Sequence, residues 1–544
     1  MDSRASDFER ADSGKRIMTI QSEQHQNQHD ARPLQIGLSR RDFLTQGGAG
    51  SLLFGPGMVL LSSGESRAAA SPRSLIGNSI AEYELNVGTR EAAPDGRRRS
   101  ISCYNGQLPG PLIRAVLGQK LRIRVNNHLS TPTSVHWHGM HQPGTWQMDG
   151  VDEVSRKPIP PGSTFVYEFT ATPAGTHWYH SHVGVQYGNG LIGPLIVDEV
   201  MPRAKYDREE LLFINDWFLR PAEEMLAGLV RPNRAGGRMP AMQMNRESSQ
   251  ESKTSSIPAM PGMAMKSRDR KPDIGDVPFE SALFNGLGRS AGTRAPLATL
   301  RVRPAEALRL RLVNASSTYA FRFQIDRHPL TVIASDGSPV VPTRVDSLLF
   351  SPGERYDVLL LANRSGTAWI RAATQAGDEA RAILHYAGTT DEEPTASPVV
   401  WGKRSLSLEG LRSSERVTLN PNPREVKLRL GGTMQPYAWN INGQEYPRAR
   451  PIAAAKDEWL RFVLDNPTGM DHPFHLHGHY FYVLGAPGHL NLLDPPRKDT
   501  VNVPAGRQLV LLWKANNPGR WFFHCHIEWH VATGMARVIE IAQS

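Results

Sequence analysis

The chain has 544 residues, a length that predicts three or four domains of roughly 100–200 residues each and argues against a single small binding module. Hydrophobic residues make up 39% and charged residues 21% of the sequence, and no apolar run approaches the roughly 20 residues of a membrane-spanning helix. The 62 Lys and Arg against 53 Asp and Glu leave a net charge of +9, but no basic stripe is interleaved with aromatic residues. We therefore expect a monomer with no membrane span and no nucleic-acid partner.

The first 70 residues read as an export signal rather than as part of a domain. Residues 39–44 are Ser-Arg-Arg-Asp-Phe-Leu, and a weakly apolar stretch and three alanines at 68–70 follow in that order. This order resembles a twin-arginine signal with its cleavage site. We expect export by the twin-arginine machinery of a bacterium, to the periplasm or out of the cell, with either Met1 or Met18 as the true start.

A unit of turn, strand, turn and strand occurs three times in the rest of the chain. Alternation of apolar and polar residues predicts a strand in each unit, and short strands between Gly, Pro and Asn turns predict antiparallel β-sandwiches. The repeat spacing gives domains at 71–203, 204–395 and 396–544. The units share Asn-Gly turns at 105–106, 285–286 and 442–443, alternating strands at 121–126, 308–314 and 460–466, and second strands at 165–169, 356–360 and 509–513.

One interval in the second domain departs from this pattern. Residues 231–276 contain no Phe, Trp or Tyr, and Ile257 and Ile274 are their only Ile, Leu or Val residues. Because so few apolar side chains cannot form a core, we expect a loop. Because thioethers are soft ligands that suit Cu(I), the loop either collects metal or is a linker whose methionines have no role. It holds six of the 16 methionines: Met239, Met242, Met244, Met260, Met263 and Met265.

Histidines cluster in pairs far more often than chance placement of 19 residues would give. Residues i and i+2 of a strand lie on one face, roughly 6.5 Å apart, so each pair directs two imidazoles toward one cavity. Clustered imidazoles favour Cu, Zn, Fe or Ni. The His-x-His pairs are His136/His138, His180/His182, His475/His477, His477/His479 and His524/His526.

The segment 524–535 indicates which metal is bound. It supplies a thiolate at Cys525, an imidazole at His530 and a thioether at Met535, and His472 could supply a second imidazole. Two His, one Cys and a weak axial Met describe a blue-copper electron-transfer site. Because neighbours in a strand point to opposite faces, Cys525 should face this site while the histidines on either side of it face another.

Four motifs in the sequence resemble the copper motifs of the three-domain multicopper oxidases, and the repeats extend the similarity over nearly all of 71–544. The motifs are His136-Trp-His138-Gly139, Trp178-Tyr-His180-Ser-His182, His472-Pro-Phe-His475-Leu-His477-Gly478 and His524-Cys525-His526 through Met535. The resemblance implies an all-β protein of three consecutive cupredoxin-like Greek-key sandwiches. It also implies four copper ions: one of type 1, one of type 2 and two of type 3.

By analogy with the family, each copper has a set of ligands in this chain. The sets are His472, Cys525, His530 and axial Met535 for type 1 copper, His136 and His475 for type 2, and His138, His180, His182, His477, His524 and His526 for the type 3 pair. Since these residues come from the first and third domains, we expect the trinuclear cluster between those two domains. The second domain would be a spacer that supplies no ligand.

Similar oxidases take four electrons, one at a time, at type 1 copper and use them to reduce dioxygen to two waters at the trinuclear cluster. The resemblance therefore implies a copper-dependent oxidoreductase whose partners are dioxygen and an electron donor that approaches near His530. The reduction consumes protons, and Asp149 and Glu528 match positions where similar oxidases keep proton-delivering acids. Each acid could instead orient a ligand.

The identity of the electron donor is open at this point. Residues 494–499 and 517–521 look laccase-like, which predicts phenols and aryl amines. The axial Met535 and the methionines of 231–276 favour instead a periplasmic oxidase of Cu(I) or Fe(II) in copper resistance and homeostasis. We favour the laccase-like interpretation and keep the metal oxidase as its alternative.

Three other classes of protein fit the motifs less well. A copper buffer would need the ligands but not Cys525 between the two sites. A copper-free scaffold, like an exported cell-division relative of this family, would have lost ligands that this chain keeps. A copper nitrite reductase would normally lack the type 3 pairs His180/His182 and His524/His526.

Overall fold

The described residues form six β-sheets, two for each repeat of the sequence. The computed structural model describes residues 79–201, 204–231, 277–390 and 392–543, which belong to one compact unit, Glu65–Ser544. Across these ranges, no helix combines the length and the apolar character needed to cross a bilayer. The leader predicted at 1–70 and the methionines at 239–265 lie outside the described residues.

The first domain has two four-stranded sheets, in the orders β2-β1-β4-β6 and β3-β8-β7-β5. Short 3-10 helices cover Trp146–Met148 and Tyr187–Asn189. The strands are β1 (Ile80–Ala92), β2 (Arg99–Tyr104), β3 (Ile113–Val116), β4 (Lys120–Asn127), β5 (His136–His138), β6 (Thr164–Thr170), β7 (Gly175–His180) and β8 (Ile192–Asp198).

The second domain has two six-stranded sheets, in the orders β10-β9-β12-β17-β14-β15 and β11-β19-β18-β13-β16-β20. Its helix α1 covers Ala222–Val230. Because β20 pairs with β16, this domain extends past residue 395, where the repeat spacing placed its end. The strands are β9 (Arg208–Trp217), β10 (Ser281–Phe284), β11 (Thr299–Val302), β12 (Ala307–Asn314), β13 (Phe321–Ile325), β14 (Leu330–Ser335), β15 (Ser338–Val345), β16 (Ser347–Phe350), β17 (Arg355–Leu361), β18 (Thr367–Ala373), β19 (Glu379–Tyr386) and β20 (Ser405–Leu406).

The third domain has a six-stranded sheet, β22-β21-β24-β29-β26-β27, and a five-stranded sheet, β23-β31-β30-β25-β28. A 3-10 helix at Leu408–Gly410 precedes it, and its helix α2 covers Glu528–Ala532. The strands are β21 (Arg424–Met434), β22 (Tyr437–Ile441), β23 (Ile452–Ala454), β24 (Trp459–Asn466), β25 (His472–Leu476), β26 (Phe481–Gly485), β27 (Arg497–Lys498), β28 (Thr500–Val503), β29 (Arg507–Lys514), β30 (Gly519–Cys525) and β31 (Ala536–Ile541).

The predicted alternating strands are confirmed as β4, β12 and β24, but the sheets are mixed rather than purely antiparallel. In each domain the first strand pairs parallel with the alternating strand: β1 with β4, β9 with β12, and β21 with β24. The strand just before the alternating one belongs to the opposite sheet. The chain therefore leaves the first sheet and returns in the same direction, which gives a parallel pair.

A buried asparagine at the end of each alternating strand donates hydrogen bonds to two backbone carbonyls of its domain. The amide of Asn127 donates to the carbonyls of Thr131 and Ile159, and Asn314 and Asn466 each make the same pair of bonds in their own domains. The repeat predicted from sequence ended at Asn126, one residue too early. Two asparagines stand side by side there, and Asn126 is the one that faces outward.

Strand β12 differs from its two counterparts because both of its faces are buried. Its Leu and Arg residues alternate, a pattern that predicts solvated arginines, yet Arg309 and Arg311 are only 4% and 2% exposed. Both bind Asp357, and Arg311 also donates to the hydroxyl of Thr176 on β7. The second domain therefore packs directly on the strand of the first domain that carries His180.

We expect Asn127→Ala to lower the free energy of unfolding by about 1–3 kcal/mol, because the carbonyls of Thr131 and Ile159 lose the bonds from its side-chain amide and the buried backbone amide of Leu129 loses its acceptor. Calorimetry of the intact chain measures this loss as a lower melting temperature. Asn126→Ala is the matched control, since its partners Glu84, Asn86 and Thr164 are partly exposed and can bind water instead. Equal melting temperatures for the two variants would contradict the structural role given to Asn127.

Candidate metal centre

Two antiparallel strand pairs carry most of the predicted metal ligands. Strand β5 pairs with β7, which sets His136 directly opposite His180. Strand β25 pairs with β30, which sets His475 opposite His524. Directly opposed residues in an antiparallel pair have their side chains on the same face, so each pair brings two imidazoles together across the strands.

Eight histidines from the two strand pairs and the residues just after them line one pocket between the first and third domains. All are buried except His182, which is half-buried. In the described residues they fall into three groups whose ring nitrogens lie within 4.8 Å of one another: His136, His138 and His475; His138, His180 and His526; His182, His477 and His524. The spacing of each group suits one metal ion held by several imidazoles.

Most of these rings turn one nitrogen outward to a protein oxygen. Nδ1 of His136 donates to the carbonyl of Asp149 at 3.0 Å, and Nδ1 of His475 donates to that of Asp499 at 2.9 Å. His180 and His524 donate in the same way, at 2.8 Å, to the carbonyls of Ser181 and Cys525. Such bonds fix the tautomer, so that the other nitrogen offers its lone pair to the pocket.

The nitrogens that face the pocket are those expected of metal ligands. Nε2 of His136, His180 and His475 is buried and has no hydrogen-bond partner among the described residues. A buried polar atom without a partner costs free energy unless a bound group satisfies it. These residues therefore fit copper, which imidazole nitrogen binds well.

The protonation states of the rings also fit a metal site. Burial is the largest cause of a lowered pKa in seven rings, and neighbouring imidazoles lower these values further; the seven are His138, His180, His182, His475, His477, His524 and His526. Neutral imidazole is the form that ligates metal. The pKa lies well below the ordinary value for His138, His180, His182, His477, His524 and His526.

A second, separate group brings together His472, Cys525 and His530. Sγ of Cys525 lies 3.7 Å from Nδ1 of His472 and 3.5 Å from Nδ1 of His530, and the two Nδ1 atoms are 3.1 Å apart. All three residues are fully buried. Met535 is also fully buried, and its carbonyl accepts a hydrogen bond from the amide of Cys525. The donors are those of a blue-copper site.

The end of strand β30 and the residue after it, His526, connect the two groups. Cys525 faces His472 and His530, whereas His524 faces His477, with 3.0 Å between their Nε2 atoms. Nε2 of His526 lies 3.2 Å from Nδ1 of His138. The chain itself therefore provides a short covalent path from the thiolate to both sides of the histidine pocket.

The two predicted acids occupy different positions. Asp149 lies among the ligands: its Oδ2 accepts a hydrogen bond from Nδ1 of His477 at 2.8 Å, and its Oδ1 lies 3.1 Å from Nδ1 of His136. Glu528 is also buried, and its carboxylate accepts hydrogen bonds from the backbone amides of Tyr187 and Gly188, both at 3.0 Å. Burial raises the pKa of Glu528 well above its ordinary value.

Sequence reasoning missed the contribution of the second domain. None of the candidate ligand groups in the described residues includes one of its residues, yet Gly353 and Arg355 lie against the pocket. A Cβ on Gly353, whose φ is +88°, would come within 2.8 Å of the His526 ring and 3.1 Å of the His138 ring. The signal was present as the repeated Pro-Gly turn, but a turn motif does not show what lies across from it.

Comparison with known proteins follows the same three-part division. Three models described as multicopper oxidase match residues 86–201, 209–389 and 419–544. Multicopper oxidase MmcO of Mycobacterium tuberculosis is 34% identical, over 80% of this chain and 82% of that protein. Laccase-2 of Botryotinia fuckeliana is 33% identical, over 85% of this chain and 82% of that protein.

Solved structures of similar proteins have the same fold. The laccase from Botrytis aclada superposes with a TM-score of 0.71 at 30% identity, covering 85% of this chain and 87% of that one. Fet3p, a multicopper oxidase that functions in iron import, gives a TM-score of 0.72 at 24% identity, covering 85% and 90%. The predicted all-β architecture of cupredoxin domains is confirmed, and the chain belongs to the multicopper oxidase family of copper-dependent oxidoreductases.

Proposed function

We propose that this protein is a laccase-like oxidase that takes electrons singly from phenolic or aryl-amine donors and uses four of them to reduce dioxygen to two waters. One observation carries the proposal: Cys525 contacts His472 and His530, while the residues on either side of it reach into the histidine pocket. A protein that only stored copper would not need this connection. The laccases among its relatives support the same class of donor.

The donor groups support four coppers. We infer that His472, Cys525, His530 and Met535 hold type 1 copper, since they supply the thiolate, imidazole and thioether donors of that site. The pocket groups support the assignment of type 2 copper to His136 and His475 and of the type 3 pair to the other six histidines. Bound copper supplies one-electron redox chemistry and the binding of dioxygen.

The residues of the chain perform the remaining tasks. Burial lowers the pKa of most of these imidazoles, so that the neutral rings present lone pairs without a competing proton. Asp149 accepts a hydrogen bond from His477 and lies beside His136, and so orients one ring from each half of the pocket. We assign to Asp149 and Glu528 the delivery of protons to the pocket, since both are buried carboxyl groups.

We infer that electrons enter near His530. The indole of Trp439 lies over this ring, with 4.0 Å between ring centroids, and 5.1 Å from the ring of His472. An aromatic ring in contact with the imidazole offers a route for electrons from a donor to the metal site. Oxidation of Cu(I) or Fe(II) remains the alternative, and the methionines of 231–276 favour it because thioether sulfur suits Cu(I).

We also propose that the protein is a monomer exported by the twin-arginine route to the periplasm or beyond, where it would act in copper homeostasis if metal ions are its donors. The Arg-Arg pair in residues 39–44 and the small residues at 68–70 support export. Cell fractionation of the full chain against a variant with both arginines changed to Lys tests it; equal export of both would contradict the route.

Replacing Cys525 by Ser should abolish the intense visible band of type 1 copper and reduce donor oxidation to background, because the oxygen of Ser cannot replace the thiolate. Absorption spectra and oxygen consumption measure the two effects. Cys103→Ser is the matched control: Cys103 is also buried, but its sulfur faces the carbonyl of Gly88 at 3.7 Å. A Cys525→Ser enzyme with parental turnover would contradict the proposed function.

The two classes of donor are separated by steady-state rates with a phenol, with Fe(II) and with Cu(I), each with and without added Cu(II). We expect the largest kcat/KM for the phenol. Deletion of residues 239–265 should leave this rate unchanged, since phenols need no thioether ligands. A larger kcat/KM for Cu(I) that falls on deletion would identify the protein as a metal oxidase instead.

Asp149→Asn and Glu528→Gln should slow reoxidation of the reduced enzyme by dioxygen, by roughly 10²-fold for a lost proton donor. The loss should grow as pH rises, because the solvent then supplies fewer protons. Stopped-flow reoxidation across pH measures this, with the exposed-pair variant Asp465→Asn as control. Parental rates and pH profiles in both variants would remove the proton-delivery role.

A further inference from the structure

Five charged residues of the second and third domains are buried next to the histidine pocket. We call them the buried ion network: Asp336, Glu354, Arg355, Lys498 and Asp499, each at most 5% exposed. Buried ion pairs are weak evidence for stability, because removing two charges from water costs as much as their attraction returns. Their placement against the pocket therefore calls for another explanation.

Arg355 contacts all three domains. Its Nη1 and Nη2 donate to the two carboxylate oxygens of Asp499, both at 2.6 Å, and its Nε donates to the carbonyl of Thr176 at 3.0 Å. Nη1 also reaches the carbonyl of Gly353 at 3.2 Å. This two-point geometry is specific to a guanidinium and fixes the plane of the Asp499 carboxylate.

Asp499 and its neighbour Thr500 pass this constraint to two ligand histidines. The backbone carbonyl of Asp499 accepts a hydrogen bond from Nδ1 of His475 at 2.9 Å. The carboxylate Oδ1 of Asp499 lies 3.3 Å from Nε2 of His138. The hydroxyl of Thr500 donates to Asp499 at 2.7 Å and lies 3.1 Å from both rings. The two rings stack with 3.7 Å between centroids, so reorienting one would disturb the other.

Asp336 holds the same segment from the other side. Its Oδ2 accepts from the amides of Asp499 and Thr500, at 3.3 and 3.1 Å, and from Nζ of Lys498 at 3.1 Å. Its Oδ1 accepts from the amide of Arg355 at 2.9 Å. Residues 498–500 are therefore fixed to the second domain through both backbone and side chains.

We propose that Arg355 and Asp499 are positioning residues for type 2 copper. The second domain supplies no candidate ligand in its described residues, but through Arg355 it sets the orientation of His475 and His138. The inference rests on the proposed function, because it requires copper in the pocket. Type 2 copper depends on it most, since only two histidines are assigned to that ion. A small rotation of His475 removes half of its protein ligands.

The test compares Arg355→Met and Asp499→Asn with the parent as isolated holoenzymes. We expect both variants to bind type 2 copper about 10–100-fold more weakly, the usual effect of losing a partner that orients a metal ligand. Chelator titration monitored by the type 2 EPR signal measures this. The visible band of type 1 copper should be unchanged, because His472, Cys525 and His530 form a group separate from the histidines that the network contacts.

The matched control is Arg309→Met. Arg309 is 4% exposed and donates twice to buried Asp357, at 3.1 and 2.5 Å, and once to Glu199, neither of which is a ligand. It should lose stability and keep type 2 copper. Arg355→Lys, which keeps the charge but not the two-point contact, should bind type 2 copper with intermediate affinity.

Two results would overturn the inference: parental type 2 affinity in Arg355→Met or in Asp499→Asn, or an equal loss in Arg309→Met, which would reduce the effect to general destabilisation. If Arg355→Met does not fold, the near-isosteric Asp499→Asn decides alone. Failure of the proposed function would be seen in the parent protein itself. The parent would then lack the visible band of type 1 copper or the EPR signal of type 2 copper.

Discussion

Everything in the functional site depends on the alternation of side chains along the end of strand β30. Residues 524, 525 and 526 point to opposite sides in turn, so one strand serves two metal sites and keeps them in a fixed relationship. A thiolate on one side and imidazoles on the other are then separated only by backbone. No loop or mobile element is needed to bring the two sites together, since the pleat of the strand already does so.

This constraint explains why the domains must pack as they do. Strand β30 can supply only part of a histidine pocket, and the rest comes from β5, β7 and the following residues of the first domain. The second domain also packs against this pocket, through hydrogen bonds from Arg311 to Thr176 and from Arg355 to Asp499. Its arginines face inward from strands that would be half-solvated in an isolated sandwich. It is thus part of the structure of the pocket, although it was predicted as a spacer.

Local patterns sufficed to predict the fold and the candidate ligands. Strand alternation, the Asn-Gly turns and the His-x-His spacing are all set by residues close in sequence. The structure places eleven of the twelve predicted ligands in two groups, and the twelfth, Met535, is fully buried. Patterns of this kind could not choose between Asn126 and Asn127, nor foresee that Arg309 and Arg311 are buried. The contact between Arg355 and Asp499 joins residues 144 positions apart, so no local spacing could have revealed it.

The histidine pocket also links metal binding to the stability of the whole assembly. Burial keeps most of its rings neutral, and carbonyls and Asp149 fix their tautomers, which leaves the inward nitrogens of His136, His180 and His475 without hydrogen-bond partners among the described residues. In the absence of metal these atoms oppose folding, because an unfolded chain would hydrate them. Copper in the histidine pocket binds only when the first and third domains are together, so its binding free energy stabilises that arrangement directly. Asp499 of the buried ion network and its neighbour Thr500 act in the same direction: each contacts both His138 of the first domain and His475 of the third domain, whose rings stack.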